Sequence, residues 1–197
     1  MRLFVAAYPP DHVREDFEGV VRRLSVGQPR EPGRSVRLAP PDQWHITLAF
    51  LGEVPDPKAD AARSTVDRAV ERWRADRTGD PSGAPAVRIA GGGTFGRGRF
   101  TTLWAGLRGD LDELAGVAEA LRGELRAAHL PYDNKRFRPH VTVARPGDRI
   151  TADELAADLA SLGAYEGPVW TVAGIRLMRS HLGPRPSYDV LHEAPLS

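Results

Sequence analysis

Two tetrads in this chain, His45-Ile46-Thr47-Leu48 and His140-Val141-Thr142-Val143, each set an imidazole and a hydroxyl two residues apart between apolar neighbours. They are separated by 95 residues, close to half of the 197-residue length. In an extended segment alternate residues share a face, so each tetrad presents His and Thr on one side and two apolar residues on the other. Taken alone, either tetrad is most simply a strand with a hydrogen-bonded His. The repeat changes the odds. With 9 Thr and 41% hydrophobic residues, apolar-Thr-apolar follows a given His with odds of about 0.008, so two matches among 6 His arise by chance roughly once per thousand such chains.

Two His and two Thr suit proton transfer at a phosphoryl group. An imidazole pKa of about 6.5 lets one ring be neutral while its partner is charged. The neutral ring takes a proton from an attacking water, and the charged ring gives one to the leaving oxygen. Each Thr hydroxyl can donate to a non-bridging oxygen where negative charge gathers. A metal site is the weaker reading. It usually needs a third ligand, no carboxylate lies at ligand spacing beside either tetrad, and the chain has no Cys. No metal and no other cofactor is expected. The near-symmetry of the tetrads leaves open which His is the acid.

The elements that must position these residues follow from periodicity. Residues 2–8 read as a strand ended by Pro9-Pro10, and Asp11 caps a helix with Val13, Phe17, Val20 and Leu24 on one face. Residues 25–36 read as a loop. Trp44 to Val54 reads as the first tetrad strand, with Phe50 toward the core and Ala49, like Ala144 in the second tetrad strand, on the open side. Asp56-Pro57 starts a helix continued by Val66, Val70 and Trp73. A polar turn region at 75–85 leads to a hairpin: strands at 86–90 and 101–107 joined by the glycine-rich run 91–99. That run lacks the Gly-Lys-Ser/Thr ending of a phosphate-binding loop and is followed by a strand. A helix spaced by Leu111, Leu114, Val117, Leu121 and Leu125 precedes the second tetrad strand at 139–145. Thr151 and Glu154 form a capping box for a last helix closed by Gly163, and strands at about 169–178 and 187–192 finish the chain. The pattern is α+β with antiparallel sheets, and no linker divides residues 1–197.

Composition narrows the function. A net charge of +1 excludes a broad basic face for long polyanions. Of the 27 basic residues only Lys58 and Lys135 are Lys, a bias attributed to codon usage in a GC-rich genome. The apolar opening Leu3-Phe4-Val5-Ala6-Ala7 is too short for a signal peptide or membrane span. A cytoplasmic protein without membrane association is expected.

Trp44-His45-Ile46-Thr47-Leu48-Ala49-Phe50-Leu51-Gly52-Glu53-Val54 and Arg136-Phe137-Arg138-Pro139-His140-Val141-Thr142-Val143-Ala144-Arg145 resemble the two motifs of the 2H phosphoesterases. Within them the chain is similar to the RNA 2′,3′-cyclic phosphodiesterase, or 2′-5′ RNA ligase-like, family. The resemblance extends to Met1-Arg2-Leu3-Phe4-Val5-Ala6, Leu103-Trp104-Ala105-Gly106, Leu177-Met178-Arg179-Ser180 and Tyr188. Ala49 departs from it, standing where many members carry a larger polar residue. The resemblance implies one bilobal catalytic domain with pseudo-twofold symmetry, two antiparallel sheets facing a central groove and helices outside. It further implies hydrolysis of a terminal RNA 2′,3′-cyclic phosphate to a 2′-phosphomonoester, with weak reverse 2′-5′ ligation, His45 as proton donor and His140 as acceptor. Thr47 and Thr142 would hold the phosphate.

Around the second tetrad, Lys135, Arg136, Arg138 and Arg145 form a basic cluster with Asp133, and Arg145 is the expected extra phosphate contact. Phe137 is assigned either to base stacking or to the core. His129 sits near a helix C-terminus, where a dipole interaction accounts for it, and His12, His181 and His192 lack catalytic context. The expected partner is a short RNA end or oligonucleotide bearing the cyclic phosphate, bound by a monomer. The alternative is a nucleotide- or RNA-end-binding module of the same fold without turnover.

Overall fold

The computed structural model describes residues 1–30, 36–77, 83–147, 149–183 and 186–197, so part of the loop expected at 25–36 and of the turn region at 75–85 lies outside the described residues. In chain order the elements are β1 (Arg2–Ala7), α1 (Asp11–Val21), β2 (Arg37–Leu38), β3 (Ile46–Glu53), α2 (Ala59–Asp76), β4 (Ala86–Phe95), β5 (Thr102–Gly109), α3 (Leu111–Ala127), β6 (Val141–Arg145), α4 (Ala152–Ala164), β7 (Trp170–Thr171), β8 (Gly174–His181) and β9 (Ser187–Pro195). Local signals set most of these boundaries. Pro57 opens a 3-10 turn at Asp56–Lys58 that feeds α2, and the Thr151–Glu154 capping box starts α4 with both reciprocal bonds made.

The strands run β7-β4-β5-β6-β3-β1-β8-β9, every described pair antiparallel, with β2 added to β6. This is the α+β arrangement expected. Its two halves, β3-β1-β8-β9 and β6-β5-β4-β7, meet in the single register pair Ile46–Val141, so in place of the two sheets expected there is one continuous sheet joined at this seam. In each half the tetrad strand pairs with the strand that precedes a helix, β1 before α1 and β5 before α3. Helices cover one face: α2 packs on α3, β8 and β9, α3 also touches β3, and α4 packs on β4. Phe17 of α1 meets Trp44 and Tyr165 there. Ile46, Leu48, Val141 and Val143 point into this core at 0–1% exposure. The opposite face is left for the groove. Among the described residues no helix is long and apolar enough to cross a membrane.

Four expectations are corrected. Asp11 is the first residue of α1 and not its cap, which is Pro10, and Leu24 lies beyond the helix end at Val21. The glycine-rich run is not a connection, because β4 continues to Phe95 and only the short segment before Thr102 turns. Glycine is needed there for close approach: a Cβ on Gly93 would collide with the Trp104 indole, and one on Gly92 would lie 2.8 Å from the Leu162 Cβ. The strand expected at 169–178 divides into β7 and β8, since the chain changes partner from β4 at Thr171 to β9 at Gly174. Gly163 does not close α4, which runs to Ala164 and ends at the extended Tyr165.

Candidate active site

Both histidines sit one residue before their strands and are fixed in the same way. His45 Nδ1 donates to the Gln43 carbonyl at 2.6 Å, and His140 Nδ1 donates to the Arg138 carbonyl at 2.6 Å. A carbonyl only accepts, so Nδ1 must carry the hydrogen in each ring. Nε2 is left in both as the nitrogen available to a ligand, basic when neutral and donating when charged. Both acceptor carbonyls lie in proline-bounded segments outside the strands. Pro41 opens the 3-10 turn ending at Gln43, and Pro139 separates Arg138 from His140.

The strands break their alternation at equivalent places. Opposite β1, Thr47 faces Ala6 and Ala49 faces Val5, which leaves Leu48 as an extra, bulged residue. Opposite β5, Thr142 faces Trp104 and Ala144 faces Leu103, leaving Val143 bulged. The fourth residue of each tetrad is thus a β-bulge, a device that re-aims the residues after it. This overturns the expected continuation of the pattern. Ala49 and Ala144 are buried at 3% and 1%, while Phe50 and Arg145 turn toward the groove.

One groove of about 820 Å³ is lined by His45, Thr47, His140, Thr142 and Arg145, so all five expected site residues come together. Gln43, Tyr188, Arg37 and Leu38 also line it. A neighbouring cavity of about 600 Å³ shares Thr47, Phe50, Lys135 and His140 with it and adds Phe95, Phe137, Arg136 and Arg138. Phe137 packs on the core and also lines this cavity. His181 pairs with Asp189 and His192 with Asp67, each at 2.6 Å and neither lining the groove. His129 adopts a left-handed backbone after α3, with φ of 51°.

The two imidazoles have different surroundings. Phe4, Tyr8 and Tyr188 enclose His45, with ring centroids 5.0, 5.5 and 5.7 Å away. Burial pushes its pKa down to about 4, the Gln43 carbonyl opposes this, and the charges of His140 and Arg145 add to the lowering. His140 meets Phe95 at 4.9 Å and Trp104 at 6.0 Å, the indole that Gly93 makes room for. Tyr8 has its phenol pKa raised, chiefly by burial, and its buried hydroxyl has no hydrogen-bond partner among the described residues. Sequence reasoning missed Gln43, Tyr8, Phe95 and Arg37. The position two before each tetrad His is the local signal for Gln43; the others come from strands whose placement is not local. Among the described residues no three His, Asp or Glu side chains are grouped to hold a metal ion.

The arrangement can hold an anion between two hydroxyls and Arg145 while two imidazoles exchange protons with it from either side. A family model described as the 2′-5′ RNA ligase superfamily matches residues 9–184. The chain is 33% identical to the RNA 2′,3′-cyclic phosphodiesterase of Thermus thermophilus, over all of this chain and 90% of that protein. It is 30% identical to the protein of that name from Escherichia coli K12, over 73% of this chain and 71% of that one. The crystal structure of Escherichia coli LigT complexed with 3′-AMP superposes with a TM-score of 0.69 at 23% identity, covering 100% of this chain and 98% of that one.

Proposed function

Since the chain belongs to the 2′-5′ RNA ligase superfamily and is an enzyme of the RNA 2′,3′-cyclic phosphodiesterase kind, we propose that it opens terminal RNA 2′,3′-cyclic phosphates to 2′-phosphomonoesters. The observation that carries this reading is the matched anchoring of the two His at Nδ1 beside one groove, which frees both Nε2 atoms. Thr47 and Thr142 donate to the non-bridging oxygens of the cyclic phosphate, and Arg145 adds a charge-assisted contact. His140 Nε2 takes a proton from water as its oxygen bonds to phosphorus. The P–O3′ bond breaks as His45 Nε2 gives its proton to O3′, and exchange with solvent then resets both rings. Weak reversal would join 2′-5′ linkages. The whole chain acts as one bilobal catalytic domain, a monomer working in the cytoplasm.

The donor role of His45 depends on the substrate. In the free protein burial favours its neutral ring. A phosphodiester anion within a few ångströms favours the charged ring and opposes that effect. The ligand held by the Escherichia coli LigT structure, 3′-AMP, is a nucleotide with its phosphate on the ribose, in keeping with this substrate class. The test is to digest 2′,3′-cyclic AMP and an RNA oligomer ending in a cyclic phosphate, then resolve the isomers by chromatography. A 2′-phosphate product is expected. A predominantly 3′-phosphate product overturns the assigned polarity, and recovery of intact substrate overturns the activity.

A further inference from the structure

Arg37 and Arg145 stand directly opposite one another on the paired strands β2 and β6. Both are exposed and both line the groove. Neither has an acidic partner among the described residues, although ion pairs are common elsewhere on this surface. Like charges directly across a strand pair are destabilising, so folding alone does not call for this juxtaposition. An anion placed between them would relieve it.

The backbone favours two anions, one for each arginine. Arg145 lies three residues beyond Thr142 along β6, about 10 Å at the rise of an extended strand. The Arg145 side chain can therefore fold back toward a phosphate at the Thr hydroxyls, whereas Arg37 lies one strand further out. Its neighbour Leu38, 38% exposed, lines the same wall with an apolar surface. β2 is held in place by the Leu38–Ala144 register and by the Ala39 amide donating to the Val143 carbonyl at 2.9 Å. The cation is thus mounted on paired backbone and not on a free loop. RNA ends carry their next phosphate on O5′ of the terminal nucleoside, and bare 2′,3′-cyclic mononucleotides do not.

We propose that Arg37 is a specificity residue that binds the phosphate on O5′ of the terminal nucleoside, making phosphate-bearing RNA ends better substrates than bare cyclic mononucleotides. The assignment rests on the proposed phosphodiesterase reading. The experiment compares kcat/KM for adenosine 2′,3′-cyclic phosphate, its 5′-phosphorylated form and the dinucleotide ApA 2′,3′-cyclic phosphate, in the wild type, Arg37→Ala and Arg37→Lys. One charge-assisted contact corresponds to a preference of about tenfold to a hundredfold for both phosphate-bearing substrates. Arg37→Ala should collapse that preference and Arg37→Lys restore part of it.

A preference for the dinucleotide that the 5′-phosphorylated mononucleotide does not share would overturn the proposal, since the nucleoside would then be what is read. So would a preference that survives Arg37→Ala, or one abolished by Arg138→Ala instead, which would run the chain toward the neighbouring cavity. Calorimetric binding of adenosine 2′-phosphate and its 5′-phosphorylated form is measured in parallel. If no cyclic phosphate is turned over but the 5′-phosphate still strengthens binding through Arg37, the phosphodiesterase reading fails and the subsite stands.

Discussion

Ile46 of β3 and Val141 of β6 pair across the seam between the two halves of the sheet, each with 0% exposure. Because they point into the core, the residues on either side of them, His45 and Thr47, His140 and Thr142, point into the groove. The antiparallel sense sets each His beside the Thr of the other tetrad. One buried apolar pair therefore brings together four polar side chains drawn from opposite halves of the chain.

Replacing either His should remove one proton-transfer step. His45→Ala and His140→Ala are each expected to lower kcat by roughly 10²–10⁴. Steady-state assays on a cyclic-phosphate RNA end, with circular dichroism to establish folding, check this. A folded variant of near wild-type rate would take that His out of the mechanism.

The burial of His45 predicts a specific pH dependence. The kcat/KM profile reports the free enzyme, in which the His45 pKa is about 4. If His45 is the acid, kcat/KM declines as pH rises through about 4, while kcat, which reports the anion-bound complex, holds to higher pH. An acidic limb near pH 4 in kcat/KM would instead make His45 the base. The same shift acts on stability. A His buried neutral contributes fully above its unfolded pKa of about 6.5, and that contribution is lost as pH falls toward 4. Denaturant midpoints across this window should therefore drop on acidification, and less so in His45→Gln.

Activity should persist unchanged in excess EDTA. Two His with hydroxyl and guanidinium partners supply hydrogen bonds and protons, and they fall short of the three ligands that a catalytic zinc commonly takes. Loss of turnover on chelation with rescue by a divalent ion would replace the proton-transfer scheme with a metal-assisted one.

Gly93→Ala tests the seat of His140. The new Cβ would overlap the Trp104 indole, which with Phe95 packs against the His140 ring. Overpacking of this kind costs about 1–3 kcal/mol. Lower stability in urea together with a lower kcat is expected. Wild-type values for both would show that Trp104 moves aside freely and does not position His140.

The sequence by itself determined the two tetrads, the turn at Pro57 that leads into α2, the capping box at Thr151, and the apolar faces of α1, α2 and α3, because each of these is written in the spacing of near neighbours. Tertiary structure decided the rest. The bulges at Leu48 and Val143 arise only in the pairing with β1 and β5, so alternation alone misplaced Ala49, Phe50 and Ala144. The run at Gly91–Gly93 lies in strand, and at Gly92 and Gly93 it must be glycine because Leu162 and Trp104, distant in sequence, occupy the space a Cβ would need. His45 and His140 look alike in one dimension. They differ in the fold because Phe4 and Tyr8 of the first segment and Tyr188 of the last strand close around one of them and exclude the water that would solvate its charge.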